Sequence, residues 1–159
     1  RVVQSVTDAS TEAIGAQFGS FFYATPEDEP GPDGQARFGL FVLSGAPLAA
    51  FSSFPPVRST ALFTPTFSGT GTVRSDDVSL DPRFSGMPAG HLPVRSYLAV
   101  PVRARDVGVL GGLLFGHAEP GRFTADHQKL VESFAAQASV AYENALLVER
   151  LREAKDSLE

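Results

Sequence analysis

The sequence contains no cysteine, and its longest apolar run, residues 107–116, is short. The lack of cysteine excludes disulfides, thiolate metal ligands, cysteine nucleophiles and thioether-linked chromophores. An apolar run of this length cannot cross a bilayer, so we predict no direct membrane insertion. The missing thiols fit a reducing compartment, and we predict a cytoplasmic location.

Positive charge is also scarce. The 159 residues hold 13 Lys and Arg against 18 Asp and Glu, which gives a net charge of -5. Such a chain lacks the basic surface that nucleic acid or anionic lipid requires, so we expect no nucleic-acid partner. The length corresponds to about one domain with a single core. Because the chain begins at Arg1 and stops within a helical pattern at Glu159, we expect a segment of a larger protein.

Hydrophobic periodicity predicts both helices and strands. Residues 1–16 have a helical spacing of apolar positions, with Gly15 as the end of the helix and apolar side chains at Val2, Val3, Val6, Ala9, Ala13 and Ile14. Four strands are predicted, at residues 18–24, 36–44, 95–104 and 108–117. The last two form a tight hairpin, and Gly111 and Gly112 within it indicate a bulge or a close backbone approach.

The middle of the chain, residues 45–94, is less regular and holds seven prolines. Short helical turns are predicted near residues 47–53 and 60–66, a short strand near 71–75, and a helix start at Asp81-Pro82. Five phenylalanines favour burial over disorder, namely Phe51, Phe54, Phe63, Phe67 and Phe84. We therefore predict that this region is an ordered pocket wall.

The last helix is predicted from Thr124, a suitable N-cap, to Glu159, since no Gly or Pro interrupts that stretch. Its predicted core side carries Leu130, Phe134, Ala138, Ala141 and Ala145. A second apolar stripe, here called the seam, follows spacings of three and four residues and consists of Gln137, Val140, Asn144, Leu147, Leu151, Ala154 and Leu158. This seven-residue period predicts a homodimer of parallel helices, with Asn144 setting their register. The alternative is a single solvated helix.

The closing part of the chain resembles a GAF domain. The resemblance rests on GHLPVRSYLAVPV at residues 90–102, GVLGGLLFGH at 108–117 and FTADHQKLVESFAAQASVAYENA at 123–145. It implies an α+β, PAS/profilin-like sandwich, in which a central antiparallel sheet of five to six strands has the terminal helices on one face and a loop-covered cavity on the other. Residues 1–145 would form the sensory domain, and 146–159 the start of a signalling helix or coiled coil.

The resemblance also implies a function. The stretches at residues 62–78 and 86–91 are similar to the sensory GAF domains of bacterial two-component sensor histidine kinases. We therefore predict a regulatory module that binds an unknown small molecule or a partner and signals to a downstream output domain of the same chain. The alternative is a ligand-free structural dimerisation domain.

Several known GAF chemistries do not fit these residues. The N-K-x-F-x-D-E pattern of cyclic-nucleotide-binding members is absent around Phe123, where His127 and Gln128 replace the acidic pair. Covalent bilin and methionine sulfoxide reduction need cysteines that the chain lacks. The cofactor, if there is one, is therefore left unknown. No nucleophile–base–orienter set is found, so the fragment is not predicted to be an enzyme, although the full protein is expected to be a kinase.

The predicted ligand pocket draws on eight residues: Phe22, Phe38, Phe67, Arg74, Phe84, His91, Arg95 and Tyr97. An arginine facing the cavity would favour a carboxylate or phosphate ligand. Alternatively, Arg74 or Arg95 pairs with a nearby aspartate, Asp76, Asp77 or Asp81, and fixes the loop. These aspartates could also hold a hard cation, but turn and capping roles explain them better, and no metal is predicted.

Overall fold

The structure, a computed structural model, describes residues 2–24, 37–45, 57–58, 71–82, 94–104 and 108–158. Two α-helices lie at the ends of this part of the chain, α1 (Val2–Ala13) and α2 (Ala125–Ser157). The strands between them are β1 (Phe18–Ala24), β2 (Arg37–Ser44), β3 (Val57–Arg58), β4 (Val73–Ser75), β5 (Ser96–Ala104) and β6 (Gly108–His117). A short 3-10 helix, Val78–Leu80, follows β4.

The six described strands form one antiparallel sheet in the order β3-β2-β1-β6-β5-β4. The predicted α+β class and antiparallel sheet are confirmed, and the four long strands agree with their predicted bounds to within one residue. The helical turns predicted near residues 47–53 and 60–66 lie outside the described residues.

The two faces of the sheet carry different side chains, because successive residues of a strand point to opposite faces. The helix-side face includes Leu98, Val100 and Phe115, which pack in one core with residues of α1 and α2. The opposite face, here called the loop-side face, carries Tyr97, Ala99 and Leu114, and Val73 and Val78 pack against them. The prediction that both terminal helices lie on one face is thus confirmed.

Helix α1 buries a more polar side than its apolar pattern predicted. Thr7 and Ser10 are 0% exposed, whereas Ala9 and Ala13 face solvent. The Thr7 hydroxyl donates to Val3 O at 2.7 Å and the Ser10 hydroxyl to Val6 O at 2.6 Å. Each hydroxyl bonds to a carbonyl one turn back, so its burial costs little free energy. The buried side of α1 therefore cannot be identified from its apolar residues alone.

At two glycines, neighbouring groups come so close to the backbone that a Cβ would not fit. A Cβ at Gly19 would overlap the Thr11 hydroxyl of α1 and the Phe115 ring. A Cβ at Gly111 would overlap the carbonyl oxygen of Phe22 on β1. The close approach predicted from the glycines of β6 is therefore present at Gly111, and the β5–β6 register shifts opposite it, between Val102 and Arg103.

Helix α2 begins as predicted, with Thr124 as N-cap. The Thr124 hydroxyl accepts from His127 N, and His127 Nδ1 accepts from Thr124 N, both at 3.2 Å. The predicted core side was wrong at Leu130, which is 40% exposed. Ala138 is buried as predicted and Phe134 is partly buried against the core, but the other buried positions are Val131 and Ala135. The i, i+4, i+7 spacing of Val131, Ala135 and Ala138 turns Leu130 outward.

A 3-10 helix that the sequence did not predict lies directly before Asp81. Asp77 is the N-cap of the 3-10 helix, and its side chain accepts a hydrogen bond from Ser79 N. Asp81 follows this helix and donates its backbone N–H to Val78 O. The helix predicted to start at Asp81-Pro82 would continue from residue 83, outside the described residues, and stays a prediction.

Candidate functional site

The described floor of the predicted cavity is the loop-side face, and its side chains are uncharged. Tyr97, Ala99 and Leu114 are 4%, 0% and 6% exposed, and Val73 is 3% exposed. Phe22 of β1 is partly buried against the same cluster. The structure thus places two predicted pocket residues, Phe22 and Tyr97, on one face. Such a floor suits the apolar part of a ligand and offers no ionic contact.

The predicted cover of this face lies mostly outside the described residues. Phe67, Phe84 and His91 fall there, as do Phe51, Phe54 and Phe63. Phe38 is in β2, where its Cα is the register partner of Ala24 on β1 and Val57 on β3. The loop-covered cavity therefore stays a prediction.

Arg95 is held by an ion pair at the start of β5. Its Nε and Nη2 donate to Asp77 Oδ2 at 3.1 and 2.5 Å, and its side chain is half exposed. Asp77 Oδ1 accepts from Ser79 N at 3.0 Å and from Ser79 Oγ at 2.6 Å. The hydrogen bond from Arg95, followed by that from Ser79, lowers the pKa of Asp77 to about 2. Arg95 therefore fixes the 76–80 turn, as the alternative interpretation had it.

Arg74 points to the helix-side face and not to the predicted pocket. Its register partner on β5 is Leu98, which belongs to the core under α2. The guanidinium donates from Nε to Gln128 Oε1 at 3.2 Å and from Nη1 to Phe123 O at 3.3 Å. Alternation along β4 separates Arg74 from Val73 and Ser75, but which of them faces the helices depends on the pairing of β4 with β5.

The seam of α2 is exposed along its described length. Val140 and Leu147 are each 57% exposed, Leu151 is 63% and Leu158 is 89% exposed, and Asn144 also faces solvent. Val140 comes two residues after the buried Ala138, which is about 200° further around the helix. The seam is therefore on the side of α2 away from the sheet.

A groove of about 840 Å³ runs beside the seam, between α2 and the end of β5. It opens where β4 ends, because β5 continues through Ala104 while β4 pairs only as far as Ala99. Its walls include Pro101, Ala136, Val140 and Glu143. The Ser139 hydroxyl donates to Arg103 O across it. No sequence pattern pointed to this groove, since it results from unequal strand lengths.

Two described histidines are engaged in local hydrogen bonds. His117 Nδ1 accepts from Glu119 N at 3.0 Å, and His127 completes the capping of α2. Among the described residues, no group of three or more His, Asp and Glu side chains is arranged to hold a metal ion. Within the same part of the chain, no helix combines the length and apolar character needed to cross a membrane.

Comparison with known proteins gives one consistent family. A family model described as "GAF domain" matches residues 1–143. The GAF domain of an Acinetobacter phosphoenolpyruvate-protein phosphotransferase is 19% identical, with a TM-score of 0.71 over 93% of this chain and 92% of that one. The second GAF domain of DevS from Mycobacterium smegmatis is 24% identical, with a TM-score of 0.68 over 94% and 96% of the two chains. The corresponding domain of a Coxiella burnetii phosphotransferase is 16% identical, with a TM-score of 0.71 over 91% and 83%.

Proposed function

Because this chain belongs to the GAF domain family, whose members are regulatory sensory domains of signalling proteins, we propose that it senses a small molecule or a partner on its loop-side face. We further propose that α2 relays the bound state to an output domain. GAF domains are generally regulatory and not catalytic, which agrees with the prediction that this chain is not an enzyme. Its uncharged floor, with Tyr97 and Ala99, supports binding of the apolar part of a ligand.

The observation that carries this proposal is the exposed seam. Leu147, Leu151 and Leu158 lie on one side of α2 and are all more than half exposed. Burying a leucine side chain contributes about 1.5–3 kcal/mol, so a second copy covering the seam would stabilise the helix substantially. A homodimer through the terminal helices is the arrangement that we propose.

The length of α2 supports the same arrangement. Among the side chains of α2 that the structure describes, Ala138 is the last that is buried, yet the helix continues to Ser157. Every described side chain from Leu147 onward is exposed. This end continues a helix that is already formed, but the described part of the domain gives it no tertiary packing, so a partner that covers it would stabilise it.

The seam favours parallel helices in register. Two parallel copies would place Asn144 against Asn144, and Leu147 and Leu151 against their counterparts. The paired amides would hydrogen-bond to each other, whereas a shifted register would bury an amide against leucine. Asn144 would therefore set the register at some cost in stability.

The output domain that we propose is that of a two-component sensor histidine kinase in the cytoplasm. The sequence similarity at residues 62–78 and 86–91 supports the kinase, and the absence of cysteine supports the compartment. Autophosphorylation of the full-length protein from ATP, on a histidine, tests the kinase assignment. If the full-length protein instead took its phosphoryl group from phosphoenolpyruvate, a phosphotransferase would replace the kinase as the proposed output. Phosphoenolpyruvate appears in the names of two structural relatives.

The dimer is tested by sedimentation equilibrium of the fragment. Leu151→Asp should weaken association by more than about 1.4 kcal/mol, which is tenfold in the dissociation constant. Arg152→Asp introduces the same carboxylate one residue away, off the seam, and should change association less. Equal effects of the two substitutions, or a wild-type fragment that is monomeric at millimolar concentration, would contradict the proposed dimer.

Ligand binding is tested by a thermal-shift screen against metabolites, nucleotides, small organic acids and haem. A ligand of the folded state raises the midpoint in a concentration-dependent way. If the ligand binds on the loop-side face, the rise in the midpoint should be lost in Ala99→Val. It should be kept in Ala136→Val, which changes an exposed residue of α2.

A ligand-free dimerisation domain is the second candidate, favoured by the burial of Ala99 and Leu114 on the loop-side face. A core that its own chain fills leaves no room for a ligand. The absence of any thermal shift across the screen, together with a dimer that Leu151→Asp weakens, would favour this second function over sensing.

A further inference from the structure

The segment from Thr72 to Leu80 alternates between the two faces of the sheet. Val73 and Ser75 are buried on the loop-side face, at 3% and 8% exposure, and Val78 is 0% exposed in the same cluster. Thr72 and Arg74 point the other way and reach α2. One short segment, here called the 72–80 segment, thus touches both the predicted sensing face and the proposed relay helix.

The contacts with α2 fall on two successive helical turns. Thr72 Oγ1 donates to Glu132 Oε2 at 2.8 Å, and Arg74 Nε donates to Gln128 Oε1 at 3.2 Å. Gln128 and Glu132 are four residues apart and so lie on one side of α2. Arg74 also donates to Phe123 O at 3.3 Å, just before the helix begins. A shift of β4 would therefore act on the orientation of α2 at more than one point.

The other end of the segment is tied to the residues around it. Asp76 O accepts from Gly121 N at 2.9 Å, in the turn that leads to α2. Val78 N donates to Arg95 O at 2.7 Å, next to the Asp77–Arg95 ion pair. The 3-10 helix is thereby joined to the start of β5 and to the approach to α2.

Strand β4 is held to the sheet along one side only. It is an edge strand of three residues and is paired with β5 through three register partners. By contrast, β5 and β6 are paired along nine residue positions. In sequence, β4 and the 3-10 helix stand between residues 59–70 and 83–93, the stretches predicted to cover the loop-side face.

We infer that the 72–80 segment is the coupling element by which a change on the loop-side face repositions α2. The inference rests on the proposed function and specifies its regulation. Packing of Val73 and Val78 reports the state of the loop-side face, and the side chains of Thr72 and Arg74 carry it to Gln128 and Glu132. Coupling of this kind is reciprocal, so fixing α2 would also bias the loop-side face.

The test perturbs the loop-side face by mutation and reads α2 by native-state amide hydrogen exchange, without any ligand. Val78→Ala should accelerate exchange of the amides of residues 129–136 by at least about threefold. The same change is then made in Arg74→Met, which keeps an aliphatic stem and loses the guanidinium. There, adding Val78→Ala should change the exchange rates of these amides by less than about twofold relative to Arg74→Met alone. Val78→Thr, which preserves the side-chain shape, replaces Val78→Ala if the latter does not fold.

The matched control is Phe22→Leu, which trims the same cluster on β1, a strand separated from β4 by two others. It should change exchange in α2 no more than the loss of global stability requires. The inference is overturned if Val78→Ala leaves residues 129–136 unchanged, if Arg74→Met does not reduce its effect, or if Phe22→Leu acts equally. Such results would leave the thermal-shift screen, and with it the proposed sensing function, unaffected.

Discussion

The two halves of α2 both carry apolar side chains at helical spacing, but their surroundings differ. In the first half, Val131, Ala135 and Ala138 are buried at 0–5% exposure against the sheet. In the second half, Val148 and Leu151 are 47% and 63% exposed. The first half is thus stabilised by tertiary packing within its own domain. The second half has helical periodicity and apolar side chains, but the described part of the domain offers it no surface to pack on.

This difference shows that one continuous helix can belong to two structural units. Its first half is joined to the sheet through Gln128 and Glu132, which accept hydrogen bonds from the 72–80 segment. Its second half carries most of the seam, from Asn144 onward. Because a helix is stiff over these lengths, a change in the first half displaces the second, which suits a relay between a sensory domain and an output domain.

The largest contrast is expected from the same substitution in the two halves. Val131→Asp buries an unpaired carboxylate and should reduce the free energy of unfolding by at least about 4 kcal/mol. Val148→Asp, at an exposed site, should change that of the monomer by no more than about 0.5 kcal/mol. Urea unfolding followed by circular dichroism, at a concentration where the wild type is monomeric, measures both. Similar losses in the two variants would mean that the second half also packs on its own domain.

The role of Asn144 in the seam is tested by Asn144→Leu. Replacing the amide with leucine should tighten association by roughly tenfold, about 1.4 kcal/mol, and should allow other registers or orientations. Sedimentation equilibrium measures the affinity, and disulfide trapping through a single introduced cysteine reports the register in this cysteine-free chain. Glu149→Leu, away from the seam, is the control. If it tightens association as much as Asn144→Leu does, the assigned seam is wrong.

A smaller effect is expected at the start of the packed half. Thr124→Ala removes the hydroxyl that accepts from His127 N and should lower the free energy of unfolding by about 1 kcal/mol. Association of the second half should remain unchanged, because the cap is distant from the seam. Thermal unfolding and sedimentation of the same samples test both statements. Thr124→Ser, which keeps the capping oxygen, should behave like the wild type.

The smallest effect concerns pH. The bonds from Arg95 and Ser79 lower the pKa of Asp77 from 3.8 to about 2, so the folded state holds the carboxylate more strongly than the unfolded state does. The resulting stabilisation is present above pH 3.8 and is lost as the pH falls toward about 2. Asp77→Asn should therefore flatten the stability profile in that window, as should Arg95→Gln. Profiles that parallel the wild type would show that the Asp77–Arg95 pair contributes nothing measurable.

Much of the fold could be predicted because strand alternation and helix caps are local properties. The bounds of β1 and β6, the N-cap at Thr124 and the end of α1 before Gly15 agree with the sequence patterns. The burial of Thr7 and Ser10 could not be predicted, since their hydroxyls are satisfied by backbone carbonyls that composition does not reveal.

The candidate site was less accessible to prediction. Phe22 and Tyr97 were placed on the loop-side face by residue type and strand position. Arg74 was assigned to the pocket, but the register of β4 against β5 directs it to α2. Register depends on the pairing of segments distant in sequence, which a single chain does not disclose. The groove beside β5 was missed because it depends on where β4 stops pairing with β5.

The most direct test of the account is amide hydrogen exchange of the fragment at two protein concentrations about a hundredfold apart, spanning the dissociation constant. We expect residues 131–138 to be equally protected at both, because their protection comes from the sheet. Residues 147–157 should be protected at the high concentration and should exchange at least about tenfold faster at the low one. Protection of residues 147–157 that does not depend on concentration, or that is absent at both, would contradict pairing through the seam.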